Sequence, residues 1–82
     1  MPQIKVYTTA LCTYCRAEKA FLHENHIDFE EVAVDTNPAA QHEMIALSGQ
    51  LGVPFTVITK DDGTRLGILG FDQPRLKQEL GI

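Results

Sequence analysis

Cys12 and Cys15 stand three positions apart in "YTTALCTYCRAEKAFL", the stretch from Tyr7 to Leu22. Two sulfurs at that spacing can cycle between dithiol and disulfide, supply half of a metal site, or fill core space as small apolar residues. Placement separates these uses. A thiolate, not a thiol, attacks a disulfide, and an ordinary Cys with a pKa of about 8.5 is only a few per cent ionised at neutral pH. At the start of a helix, Cys12 meets free backbone N–H groups and the positive end of the helix dipole, which contributes roughly 0.3–2 kcal/mol. Lowering the pKa by ~2–3 units needs about 3–4 kcal/mol, so N–H···S hydrogen bonds from Tyr14 and Cys15 must supply much of it. Arg16, in the first turn, adds a little. Cys15, one turn further in and less exposed, is then the resolving thiol that attacks a mixed disulfide formed at Cys12. Beyond a moderate shift there is little return, because nucleophilicity falls with basicity.

The elements around the pair must put it at a helix entry. Ile4 and Val6, with Lys5 and Tyr7, make a β-prone run, so residues 3–8 are read as the first strand. From Thr13, the residues Tyr14, Ala17, Ala20, Phe21 and Leu22 recur at helical spacing, with Arg16, Glu18, Lys19 and Glu24 on other faces. That predicts an amphipathic helix to about Asn25. "IDFEEVAV" predicts a strand over 28–34, ending in the turn-prone "DTNP". Asn37 is a good N-cap with Pro38 behind it, so a second helix should run from Pro38 to about Ser48, with Gly49 as its stop. "PFTVIT" at 54–59 and "TRLGIL" at 64–69 read as a hairpin around "KDDG", and a last helix spans roughly Gln73 to Leu80. The order is β-α-β-α-β-β-α. A right-handed crossover makes the first two strands parallel and the hairpin adds an antiparallel pair, giving a mixed sheet.

Composition narrows the function classes. The chain has 82 residues, which fits one domain over 1–82 with a small core. Its net charge is −4 and its seven Lys and Arg are scattered, which argues against nucleic acid as a partner. It has no apolar run of membrane-spanning length and no secretion signal at "MPQIKVY", so it reads as cytoplasmic and without membrane association. A monomer is expected. A close cysteine pair in a reducing compartment points to catalysis or metal binding before structure. For metal, "HENH" offers His23 and His26. On a helix, Cys15 and His23 would lie about 12 Å apart along the axis, too far for one shared ion, so no metal ligands are assigned.

The element order, "CTYC" at the mouth of the first helix and "GVP" before the third strand resemble the thioredoxin fold and, within it, the glutaredoxins. The likeness runs through "KVYTTALCTYC", "SGQLGVPFTVI" and "LGFDQPRL" and covers nearly the whole chain. There are departures. Thr13 stands where glutaredoxins usually carry Pro, although Tyr14 matches. Thr9 stands where a lysine often meets a glutathione carboxylate, and Leu69-Gly70 replaces a Gly-Gly pair. "GFDQP" is similar to the Gly-Phe segment of the glutaredoxin-like electron donors of ribonucleotide reductase, which thioredoxin reductase reduces.

This resemblance implies an α/β thioredoxin fold, a four-stranded mixed sheet with three helices packed on it. It implies a thiol–disulfide oxidoreductase acting on protein disulfides or glutathione mixed disulfides. Glutathione would be co-substrate, or thioredoxin reductase the electron donor, with no tightly bound cofactor. It further implies a cis Val53–Pro54 bond beside Cys12, turning the Val53 N–H and C=O outward so that a substrate segment can pair with them. The alternative is an ordinary trans proline opening an edge strand. Tyr14 lines the substrate groove or covers the helix start. Gly70 allows close ligand approach or serves a turn. Asp72 receives a ligand amino group, caps the last helix, or does both. Phe71 is a substrate contact or a core residue, and Gln41 and Gln50 are further candidates for peptide contacts. A metal-binding module, an iron–sulfur cluster bridged by glutathione between two chains, and a redox-inactive interaction module are the readings from other classes.

Overall fold

Side chains alternate along the central strands, so both faces of the sheet are apolar and both are covered by helices. The computed structural model describes residues 2–82. Its elements are β1 (Gln3–Thr8), α1 (Thr13–Glu24), β2 (Glu30–Ala33), α2 (Pro38–Ser48), β3 (Phe55–Thr59), β4 (Arg65–Leu69) and α3 (Gln73–Leu80). The strand order is β2-β1-β3-β4, with β1 parallel to β2, antiparallel to β3, and β4 antiparallel to β3. Parallel neighbours need a long crossover, which α1 supplies, whereas β3 and β4 need only a tight turn. In that turn the Gly63 N–H donates to the Lys60 carbonyl at 2.9 Å and the Thr64 N–H to the Asp62 carboxylate at 2.9 Å. This is the α/β thioredoxin fold that the sequence resembles.

One face of the sheet buries Ile4, Val6, Ile58 and Ile68 against Phe21 and Leu22 of α1 and Leu76 of α3. The other buries Tyr7, Phe55 and Val57 against Ala40 and Met44 of α2. Helix ends are where sequence chemistry is plainest. The Asn37 side chain accepts the Ala40 N–H at 3.1 Å, Pro38 occupies the first turn, and Gly49 closes α2 at φ +76°.

Two expectations change. The buried residues of α1 are Cys15, Glu18, Phe21 and Leu22, while Tyr14, Ala17 and Ala20 are exposed and Glu18 is fully enclosed. The helix is rotated from the apolar-face reading, because exposed alanines lose little and the Thr56 hydroxyl of β3 meets the Glu18 carboxylate inside. The second strand starts at Glu30, not at 28. The chain leaving α1 first makes a tight stop: His26 adopts φ +57° and the Ile27 N–H donates to the Leu22 carbonyl at 2.9 Å, so Ile27 packs on the core instead of entering the sheet. Pro54 and Thr64 likewise lie just outside β3 and β4.

Candidate active site

Strand register brings the separated motifs to one end of the sheet. Tyr7 near the end of β1 is level with Phe55 at the start of β3, and Phe55 is level with Leu69 at the end of β4. The segment leading to Cys12, the Val53–Pro54 pair and the Gly70–Asp72 segment therefore all leave the sheet at the same edge. The Gly70 N–H donates to the Pro54 carbonyl at 2.8 Å, tying two of them together. The Val53–Pro54 bond is cis, the geometry that the resemblance implies.

Cys12 is the N-cap of α1. Its backbone is extended at φ −85° and ψ 110°, and its sulfur accepts the Cys15 N–H at 3.0 Å. It does for this helix what the side chains of Asn37 and Asp72 do for the other two. Among the described residues Cys15 is the one amide donor to this sulfur; the expected second donor, Tyr14, does not reach it. The two sulfurs are joined as a disulfide with Cα atoms 5.2 Å apart. Cys12 is half-buried and Cys15 is 1% exposed. The outer cysteine of the pair is partly open to solvent and the inner one is enclosed.

The remaining predicted residues divide. Tyr14 is 68% exposed next to Cys12 and Val53 is half-buried. Gly70 has φ +72° with open space where a Cβ would project, so the turn itself requires it. Asp72 caps α3, its carboxylate accepting the Arg75 N–H at 3.2 Å. Phe71 packs edge-on against Phe21 at 5.7 Å between centroids and belongs to the core. Gln50 is exposed, and Gln41 lies half-buried in α2. Arg16 turns back to the loop, donating to the Ala10 carbonyl at 3.3 Å. His23 and His26 lie at the far end of α1. Among the described residues no three His, Cys, Asp or Glu side chains converge to hold a metal ion, and no helix is long and apolar enough to cross a membrane.

Sequence reasoning missed two residues that shape this end. Asp35, read only as part of a turn, accepts the Ala10 N–H at 3.0 Å and so fastens the loop before Cys12 to the end of β2. Glu18, counted as a surface charge, lies one turn below Cys15 on the buried side of α1. Burial pushes its carboxyl above the ordinary carboxylate range, with the Thr56 hydroxyl opposing that rise. The i, i+3 relation to Cys15 was the available signal, and the polarity of Glu concealed it.

Comparison with known proteins agrees with this geometry. The Glutaredoxin family model matches residues 4–62. Glutaredoxin of Neisseria meningitidis serogroup B is 42% identical over 86 residues, covering 100% of this chain and 93% of the relative. Glutaredoxin 3 of Escherichia coli K12 is 39% identical over 54 residues, 66% of this chain and 65% of the relative, so the matched region spans just under two thirds of that relative's length. Among solved structures, the glutaredoxin-like protein NrdH-redoxin from Escherichia coli superposes with a TM-score of 0.73 at 31% identity, covering 95% of this chain and 93% of that one. With a helix-capping cysteine pair at the shared edge of the sheet and a family match across most of its length, the chain belongs to the glutaredoxin family.

Proposed function

We propose that the chain is a thiol–disulfide oxidoreductase that carries two electrons in its own sulfurs, reducing protein disulfides or glutathione mixed disulfides. The observation that carries this reading is the asymmetry of the pair: Cys12 caps α1 at a half-open position while Cys15 is sealed beneath it. In the reduced protein the Cys12 thiolate attacks a substrate disulfide, forming a mixed disulfide and releasing one substrate thiol. Cys15 then attacks the Cys12 sulfur, which releases the second thiol and leaves the Cys12–Cys15 disulfide. Two electrons and two protons from a donor restore the dithiol. Glutathione fills that role as co-substrate, by family likeness.

Around the pair, the Val53 N–H and C=O take the backbone flanking the substrate cysteine. Tyr14 offers an exposed ring beside it, and Gly70 and Asp72 border the ligand. Phe71 supports that edge from the core. The protein works as a single domain, 1–82, as a monomer in the cytoplasm, with glutathione or thioredoxin reductase and disulfide-bearing proteins as its partners and no tightly bound cofactor. A second reading keeps the chemistry but takes electrons from thioredoxin reductase. It is favoured by "LGFDQP" and by the likeness to NrdH-redoxin, whose structure is described as the basis for a thioredoxin-like activity profile.

Turnover of a mixed-disulfide substrate with glutathione and its reductase, compared with thioredoxin reductase alone, separates the two readings. Activity in the first arm only supports the glutaredoxin reading, and activity in the second only supports the reductase-linked one. Cys12→Ser abolishes either, whereas Cys15→Ser retains a route that needs a single thiol. Full turnover without Cys12 contradicts the proposal.

A further inference from the structure

The sealed position of Cys15 creates a proton problem. When its sulfur attacks the Cys12 mixed disulfide it must lose a proton, and at 1% exposure bulk water does not take it. The inner face of α1 and the strands beneath it offer few acceptors. Thr8 of β1 and Thr56 of β3 carry hydroxyls, which are poor bases. Glu31 of β2 is engaged by the Thr8 hydroxyl at 2.8 Å and by Lys19 of α1 at 2.8 Å, and both bonds hold its carboxyl below the ordinary range. The other side chains packed there, including Val6, Leu22, Ile58 and Ile68, are apolar. Glu18 remains. It is three positions from Cys15 on the same buried face of α1, the spacing at which Cβ atoms lie about 5–6 Å apart. Its Oε2 accepts the Thr56 hydroxyl, and its Oε1 is the one buried side-chain N or O atom among the described residues without a hydrogen-bond partner.

We infer that Glu18 is the proton acceptor and donor for Cys15, with its free Oε1 as the exchanging atom. In the forward step Cys15–SH, the Cys12 mixed disulfide and the Glu18 carboxylate become the Cys12–Cys15 disulfide, the departing substrate thiolate and the Glu18 carboxylic acid. In re-reduction a donor thiolate attacks the Cys12 sulfur, and Cys15 leaves and takes the proton back from Glu18. The Cys15 step balances in both directions, and a second donor thiol then breaks the Cys12–donor disulfide to complete the return to the dithiol. Burial raises the carboxyl above its ordinary range, which makes the carboxylate a better proton acceptor, and no neighbouring charge contributes to that rise. A position this enclosed with no such task is better filled by an apolar side chain.

The inference rests on the thiol–disulfide reading, and a single trace tests them separately. The reduced protein is mixed with an aromatic disulfide whose thiolate absorbs light. The first thiolate released reports attack by Cys12, and the second reports attack by Cys15. Glu18→Gln is expected to leave the first phase within about twofold and to slow the second about 100-fold near neutral pH. It also removes the acidic inflection of the second phase, leaving only the ionisation of the thiol itself. Glu18→Asp recovers part of the rate. An unchanged second phase in Glu18→Gln, or equal slowing of both phases, overturns the inference. Absence of a first phase in the native chain overturns the thiol–disulfide reading with it. Should Glu18→Gln not fold, infrared difference spectra of the native dithiol and disulfide forms decide. A carboxylic-acid carbonyl band that changes between them supports the relay, and an unchanged band refutes it.

Discussion

Glu43 and Glu18 each accept a hydrogen bond from a hydroxyl on opposite faces of the same sheet, and their surroundings pull them in opposite directions. Glu43 of α2 accepts from the Tyr7 hydroxyl and from Lys5 at 3.3 Å, and these bonds hold its carboxyl below the ordinary range. Glu18 of α1 accepts from the Thr56 hydroxyl alone, and burial lifts it. The hydroxyl donors are near neighbours: Thr56 is level with Val6, the residue before Tyr7. What differs is access. The Glu43 side chain is 51% exposed and has a cation, whereas Glu18 is enclosed and has none. A hydroxyl donor by itself does not offset the loss of water around a charge; solvent and a counter-ion do. Tyr7 shows the reciprocal effect, since burial and the Glu43 carboxylate both raise its pKa. Glu18, enclosed on the face that carries Cys12 and Cys15, therefore favours binding a proton, whereas Glu43 on the opposite face sits in an ion pair.

The hydrophobic part of that contrast should be symmetric. Leu22 and Met44 are both fully enclosed, on opposite faces. Leu22→Ala and Met44→Ala are each expected to lose about 2–5 kcal/mol in urea unfolding, the largest effects foreseen here. Because the sheet separates them, the double variant should be additive to within about 0.5 kcal/mol. Strong coupling would mean that the faces are not independent.

The polar part should be asymmetric. Thr56→Val leaves a buried carboxyl without any partner and is expected to cost about 1–3 kcal/mol, whereas Tyr7→Phe leaves Glu43 with Lys5 and water and costs about 0.5–1.5 kcal/mol. Equal losses break the comparison. Their pH dependence differs in sign as well. Glu18 has a folded-state pKa above its unfolded value, so its contribution is most favourable below the ordinary carboxylate range and is lost as pH rises through the raised value. Glu43 and Glu31 have lowered values, so their contributions are present above the ordinary range and lost as pH falls through the lowered ones. Stability of Glu18→Gln relative to the native chain should thus improve from acid toward neutral pH in denaturant titrations. A pH-independent difference contradicts the assignment. Smallest of all, Lys5→Ala removes a pair at the surface and should change stability by about 0–1 kcal/mol, less in high salt.

Much of this was legible in the residues. Asn37-Pro38 and Gly49 fixed both ends of α2, Asp62-Gly63 marked the hairpin, and the helical pattern from Thr13 put the cysteine pair at a helix entry. The misreadings share a cause. The buried face of α1 was assigned by residue polarity, which favours Ala17 and Ala20 over Glu18, but position against β3 decides burial and supplies Thr56 to tolerate it. The stop after α1 depends on a non-glycine residue, His26, in a left-handed conformation that local sequence does not announce. The role of Asp35 needs β2 and the Ala10 loop to be adjacent, a fact of topology alone.

The most direct check on the whole account is the ionisation of Cys12 in the reduced protein, followed by thiolate absorbance against pH with Cys15→Ser to remove the second thiol. A helix-capping sulfur should ionise clearly below the value of about 8.5 for free cysteine. An inflection at or above that value would contradict the claim that the N-terminus of α1 activates this residue.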